Sequence, residues 1–282
     1  MRSLRRKAKR PRLVFVVPVA SVLCLVALVP NPSAHAASLG RVSPARPDRR
    51  ASAVPAVVTL APADLTAPAG VGMQTPTTAQ SLVASRKIAV AWSAQDSGSG
   101  IASYDVRLRS AEWDGALGGY SPFESATTAK SSTFTGAFGW TYCFSTRARD
   151  KNKNISNWSV DRCTSVPLDD AHLTTSTFTR ATKVSGALNG TLSITTKKGA
   201  TLGRSGVVAR SITLLARTCP TCGSVAVKWN GKVTASLNLA GPSSTRVFPV
   251  AHFAKPTAGG VQVVVTSSGK RVVIDALDVS VA

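Results

Sequence analysis

Residues 140–149 read Trp-Thr-Tyr-Cys-Phe-Ser-Thr-Arg-Ala-Arg. Trp140, Tyr142, Phe144, Thr146 and Ala148 occupy every second position, with Thr141, Cys143, Ser145, Arg147 and Arg149 between them. Successive side chains on extended backbone point to opposite faces, so this alternation predicts a half-buried antiparallel strand. Upstream, Ile88, Val90 and Trp92 share one face. Ala102, Tyr104, Val106 and Leu108 share another, opposite Ser103, Asp105, Arg107 and Arg109. Turn formers separate these runs at Asp96-Ser-Gly-Ser-Gly100 and Asp150-Lys-Asn-Lys-Asn154. No helical period interrupts residues 65–166. Short alternating strands at this spacing predict a β-sandwich.

The same stretch resembles a fibronectin type III domain. The residues carrying the likeness are Val90-Ala-Trp92, Ile101-Ala-Ser-Tyr104-Asp-Val106, Gly139-Trp-Thr-Tyr142-Cys-Phe144 with Ala148-Arg-Asp150, and Asn154-Ile-Ser156-Asn-Trp158-Ser159. The resemblance makes Tyr142 the corner tyrosine, whose hydroxyl bonds nearby backbone. In this register Trp158 and Val160 point inward on the last strand, and Ser159, Asp161 and Cys163 point outward. Cys143 also lies on the polar face, so a cross-strand Cys143–Cys163 disulfide is sterically sensible. Trp92, Trp140, Trp158 and Trp229 all fall on apolar faces and are expected in the core.

Residues 167–282 are also read as antiparallel β, in a jelly-roll-like sandwich. Ile212, Leu214 and Ala216 alternate with Ser211, Thr213 and Arg217, although Leu215 breaks the polar face. Val225, Val227 and Trp229 lead to Asn230-Gly231, a strong hairpin-turn signal. Val261, Val263 and Val265 lead to Ser267-Ser-Gly-Lys270 and a return through Val272–Val281. The ending Val273-Ile-Asp275-Ala-Leu-Asp278-Val279 is similar to the last strand of jelly-roll carbohydrate-binding modules. Cys219-Pro-Thr-Cys222-Gly223 and Lys228-Trp-Asn-Gly231 resemble segments of exported actinobacterial surface proteins of unknown function.

Residues 2–12 carry seven Lys or Arg and no acid, and an apolar run from Leu13 to Val29 and then Ala34-His35-Ala36 follow. Basic, apolar and small-x-small segments in this order define a secretory signal over residues 1–36, cleaved between Ala36 and Ala37. An uncleaved anchor is the competing reading. Residues 37–64, rich in Ala, Pro, Ser and Arg, read as a disordered linker. The 246 residues after Ala36 hold 27 basic and 13 acidic groups, and no second apolar run is long enough to span a membrane. Their four cysteines, Cys143, Cys163, Cys219 and Cys222, imply two disulfides in an oxidising compartment.

The chemistry-bearing residues are few. Cys219-x-x-Cys222 lies between alternating strands, with neither the following helix a redox dithiol needs nor a second ligand pair for zinc. A disulfide clamping a turn remains. His172 and His252 stand about eighty residues apart, with no nucleophile motif beside either. Asp169-Asp170 and Asp275/Asp278 are spaced so that each pair should face opposite sides of a strand. Ser267-x-x-Lys270 sits in a turn, where serine–lysine nucleophile chemistry has no helix to stand on. Asp96 and Asp150 lie in loops too poor in oxygen ligands for calcium, so no metal and no cofactor is expected.

Residues 112–123 hold Trp113, Tyr120 and Phe123 among glycines, with Glu112 and Asp114 adjacent. Trp113, Tyr120, Glu112 and Asp114 form a candidate carbohydrate contact; the competing reading folds Trp113 and Phe123 back as a cap. Residues 65–166 carry ten basic and seven acidic groups, and residues 167–282 thirteen and four. Outside the cell, a basic sandwich is expected to attract polysaccharide or an anionic cell-envelope polymer, not nucleic acid. The reading is therefore a secreted or wall-associated, non-catalytic adhesion or spacer protein. The alternative is an accessory module of extracellular glycan hydrolysis.

Overall fold

The computed structural model describes residues 63–78 and 80–282, which fall in one compact unit. The expected export signal, its expected cleavage site at Ala36 and the expected linker up to residue 62 lie outside the described residues. Among the described residues there is no α-helix, only two single 3₁₀ turns, and no helix long and apolar enough to cross a membrane. The fold is all-β, as the alternation predicts.

Residues up to Val166 build two small sheets. One orders β1 (Ala69–Thr75), β3 (Lys87–Gln95) and β6 (Ser131–Thr135). The other orders β2 (Gln80–Leu82), β8 (Arg162–Val166), β7 (Trp140–Asp150), β4 (Ile101–Glu112) and β5 (Ser121–Thr127). Their facing sides enclose Ile88, Val90, Trp92, Tyr104, Val106, Tyr142, Phe144 and Ala148, the apolar members of the alternating runs. Tyr142 accepts the Ala137 N–H at 2.8 Å, and burial pushes its phenol pKa up.

Nine strands form the third sheet: β9 (Leu168–Asp169), β10 (Thr174–Ser176), β11 (Thr179–Ala181), β12 (Leu192–Thr195), β13 (Thr201–Thr218), β14 (Ser224–Trp229), β15 (Lys232–Asn238), β16 (Ser244–Val265) and β17 (Val272–Ser280). The β14–β15 turn is made by Asn230 and Gly231, both at positive φ (48° and 81°), as a two-residue hairpin requires. The long strand β13 changes phase twice. Its core-facing residues are Leu202, then Val207 and Ala209, then Ile212, Leu214 and Ala216. Register shifts at Ser205/Val207 and Ala209/Ser211 coincide with the two changes, the first leaving one extra residue on β13 and the second three extra residues on β16.

Leu215 interrupts the polar face because that face is not solvated here. It is buried with Leu188 and Ala276, and Leu82 and Phe138 of the first half pack against them. Trp113 lies on the core of the nine-stranded sheet, and its carbonyl accepts the Val208 N–H at 2.8 Å. Thr141 Oγ1 meets Ser280 Oγ at 3.4 Å across the same seam.

Both disulfides are present, Cys143–Cys163 and Cys219–Cys222. Cys143 and Cys163 face each other directly in the β7–β8 register, yet they are 0% and 6% exposed, not on an open face. Cys163 also lines a cavity with Arg210, His252 and Val281, so the second half covers this end of the sheet. Replacing both residues by alanine should lower stability by about 3 kcal/mol, and replacing Cys219 and Cys222 by about 2 kcal/mol, following the shorter loop. Denaturant midpoints of the two double variants check that ranking.

Candidate functional site

The aromatic loop does not assemble into one contact. Trp113 is half-buried, with the Arg204 guanidinium 4.0 Å from its ring centre. Phe123 packs edge-on against Phe134 and Phe144 in the first core. Glu112 and Asp114 stay exposed. Tyr120 is 43% exposed and donates its hydroxyl hydrogen bond to the Asp161 carboxylate at 3.0 Å. Its partners are thus unrelated to those of Trp113.

Tyr120 belongs to a ladder that sequence reasoning missed. The β4–β7 register sets Asp105 opposite Arg147 and Arg107 opposite Ser145. The Arg107 guanidinium lies 3.7 Å from the Tyr120 ring and 4.1 Å from the Trp158 ring, and Arg147 lies 4.8 Å from Trp158. Arg109–Asp161 (2.6 Å) and Arg147–Asp105 (2.9 Å) ion pairs close the two ends. Trp158 is therefore half-buried on the outer face instead of in the core, and Val160 is 72% exposed. The backbone explains this correction. Ser156 and Ser159 both bond β7, at Ala148 and Thr146, through backbone and side chain. Three residues here span two of β7, so alternation fails and Trp158 swings outward. Trp140 is half-buried too, stacked on Tyr142, while Trp92 and Trp229 are buried. Beside the ladder runs a cleft of about 270 Å³ walled by Tyr120, Pro122, Glu124 and Trp158.

All four carboxylates of residues 167–282 are buried: Asp169 and Asp170 at 0% exposure, Asp275 and Asp278 at 2%. Neither pair obeys the strand rule. Asp169 ends β9 and caps a 3₁₀ turn containing Asp170, so the two adjacent carboxylates converge on the Thr191 hydroxyl. Asp170 also takes Ser193 Oγ at 2.7 Å and Arg180 Nε at 3.2 Å. On β17 the register with β13 shifts between Leu215 and Ala216, leaving Asp275 as the extra residue. The bulge turns Asp275, Ala276 and Asp278 away from the core made by Ile274, Leu277 and Val279. Asp275 accepts the Leu188 N–H at 2.9 Å; burial pushes its pKa up to about 6, against that bond and the Arg217 charge. Asp278 is pushed up to about 7 by burial, against a Ser165 hydrogen bond, and its Oδ1 has no partner.

No catalytic order emerges from the histidines. His172 Nδ1 is 4.0 Å from Asp169, beyond hydrogen-bond reach, and the Thr191 hydroxyl is spent on the two aspartates. Acid thus stands between histidine and hydroxyl, whereas nucleophile activation needs the histidine between them. His252 is exposed on β16. Ser267 Oγ accepts the Ser224 N–H at 3.0 Å, a turn-fixing role. Asp64, Asp96 and Asp150 bring one oxygen each within 4.8 Å of the others, though they are far apart in sequence. Amide donors already serve them: Ser99 and Thr66 for Asp64, Gly100 for Asp96, and Asn154 for Asp150. These bonds pin the start of the described chain to two loops.

With the carboxylates withdrawn, the thirteen Lys and Arg of residues 167–282 remain outside: nine are exposed, four half-buried and none buried. Lys197 and Lys198 in one turn lie beside Lys270 in another, because Gly269 N–H bonds Thr196 O at 3.1 Å. Near this end opens a cleft of about 460 Å³ whose walls include Arg217, Arg271, Thr218, Ser244 and the Cys219–Cys222 disulfide.

No family model and no curated protein matches the chain. Among solved structures, it is similar to carbohydrate-binding modules of the β-sandwich superfamily at 16% identity, over 76% of this chain and 98% of the other, with a TM-score of 0.38. It is also similar to the CBM36-1 domain of a multidomain xylanase from the hindgut metagenome of Trinervitermes trinervoides, at 16% identity over 40% and 94% of the chains, TM-score 0.32. A family two carbohydrate esterase from Cellvibrio japonicus is matched at 13% identity over 41% of this chain, TM-score 0.34, and the match spans about a third (33%) of the esterase. Likenesses at these scores carry no ligand and no activity to this chain.

Proposed function

We propose that this chain is a secreted, non-catalytic surface protein in which a fibronectin type III-like module carries a basic jelly-roll-like sandwich that adheres to an acidic polysaccharide. One observation supports the reading above others. Every carboxylate of residues 167–282 is buried while every lysine and arginine there reaches solvent. An ordinary surface intersperses both signs. Here the positive field has no surface acid to offset it, and such fields attract and concentrate polyanions. Sequence charge alone, thirteen against four, understates this asymmetry.

Attraction between exposed charges is screened over about 10 Å at 0.1 M salt and about 3 Å at 1 M. The intact protein should bind immobilised polygalacturonate at 50 mM salt and lose at least tenfold in affinity at 500 mM, read by surface plasmon resonance. Retention on neutral dextran equal to that on polygalacturonate, or none on either, would remove the proposal.

A further inference from the structure

We propose that the cleft between Arg217 and Arg271 is the seat of one acidic sugar unit, its carboxylate held by the two guanidinium groups and its hydroxyls by the flanking serines and threonine. The inference rests on the polyanion-binding reading above and assigns it to one place. Arg217 stands near the end of β13 and Arg271 immediately before β17, so two cations enter one cleft from neighbouring strands. Ser185, Ser244 and Thr245 supply the hydroxyls, and no carboxylate lines the walls.

The arginine nearer the interior is oriented but not saturated. Arg217 donates from Nη2 to the Ser185 carbonyl at 3.1 Å, while its Nε has no partner. It also stabilises the charge of buried Asp275 on the neighbouring strand, so Arg271, exposed and outside that pairing, contributes the larger uncompensated charge. The opposite wall is held by Thr218, whose hydroxyl donates to the Pro242 carbonyl at 2.6 Å and fixes the segment carrying Ser244 and Thr245. Next to it the Cys219–Cys222 disulfide closes the turn, so that wall is cross-linked. A volume of about 460 Å³ falls within the roughly 300–1,000 Å³ of small-ligand sites and is far larger than a bare oxyanion needs. Guanidinium groups favour planar carboxylates through paired N–H donors. Hydroxyl-lined walls suit the remaining sugar hydroxyls. Lys197, Lys198 and Lys270 on the adjoining turns extend the cationic path for neighbouring units of the polymer.

The test compares the intact protein with Arg217→Gln/Arg271→Gln and with Lys232→Gln/Lys255→Gln, which removes the same charge away from the cleft. Trigalacturonate and polygalacturonate are the probes, measured by calorimetry at 100 mM salt. The arginine pair should lose at least tenfold in affinity and the lysine pair less than threefold. Arg271→Gln alone, an exposed change with little folding risk, should lose about threefold or more with an unaltered melting temperature. Equal losses from both pairs would overturn the cleft and leave the diffuse cationic surface standing. No binding by the intact protein would overturn both. Tighter, equally arginine-dependent binding of poly(glycerol phosphate) would overturn the assignment to a sugar carboxylate.

Discussion

Acidification from pH 8 to pH 5 should stabilise this protein, and Asp278→Asn should remove most of that gain. A free aspartate in the unfolded chain titrates near 3.9, whereas burial raises Asp278 to about 7. Below about pH 4 the group is protonated in both states and costs nothing. Between about 4 and 7 the unfolded chain has released the proton and the folded chain still holds it. Folding then becomes less favourable by about 1.4 kcal/mol per pH unit. The accumulated penalty is roughly 4 kcal/mol at neutral pH and above. Asp275, raised to about 6, adds a smaller term of the same sign, complete by pH 6. Asp105 acts in the opposite direction. Against the upward push of its burial, the Ala126 N–H and Arg147 hold its pKa below the usual carboxylate value, so its contribution is lost only as pH falls below that value. Stability should therefore peak near pH 4. For a folded unit of this size each kcal/mol moves the melting temperature by about 2–4 °C. Thermal melts from pH 4 to 9 should show wild type losing roughly 15–25 °C and Asp278→Asn less than half as much. Parallel profiles for the two proteins would refute the assignment.

Trp92→Ala should cost about 3–5 kcal/mol, the range for deleting a fully buried large aromatic. Trp92 is 1% exposed, in the central strand of the three-stranded sheet, and shares its core with Val90, Met73 and Phe144. Its Nε1–H donates to the Ala129 carbonyl at 3.0 Å, so alanine also leaves that carbonyl unpaired. Trp158→Ala is the paired measurement. Its ring meets guanidinium groups at the surface, and cation–π contacts at exposed sites are worth about 0.5–1 kcal/mol each. A loss of roughly 1–2 kcal/mol is expected there. Urea midpoints of the two variants decide the matter; similar costs at both positions would return Trp158 to the core.

The two tryptophans show where reading by alternation stops. Trp92 follows Ile88 and Val90 at a strict spacing of two, in a strand paired without a break to β6 from Lys87 to Ala91, and its burial was legible. Trp158 belongs to a stretch where Ser156 and Ser159 replace the ladder, three residues against two, and a period-two count places it on the wrong face. Asp275 and Asp278 are misplaced for the same reason, by one extra residue on β17. Asp169 and Asp170 are misplaced by a 3₁₀ turn at the end of a strand. At Ser156, Ser159 and Asp169 the backbone departs from the pleat where a hydroxyl or carboxylate offers it an alternative hydrogen bond. Of the candidate site, the basic excess was legible from residue counts. The cleft was not, because Arg217 and Arg271 stand 54 positions apart and meet only through the β13–β17 pairing.

Taken alone, the chain's order of residues determined the strand class, the Asn230–Gly231 turn, the cysteine pairs and the sign of the charge. Each of these depends on neighbours within a few positions or on composition. Tertiary structure alone decided which carboxylates lie in the seam and hence how positive the outer surface is. A carboxylate is removed from solvent by whatever packs over it, and for Asp278 that is Ser165 of the other half, more than a hundred residues away.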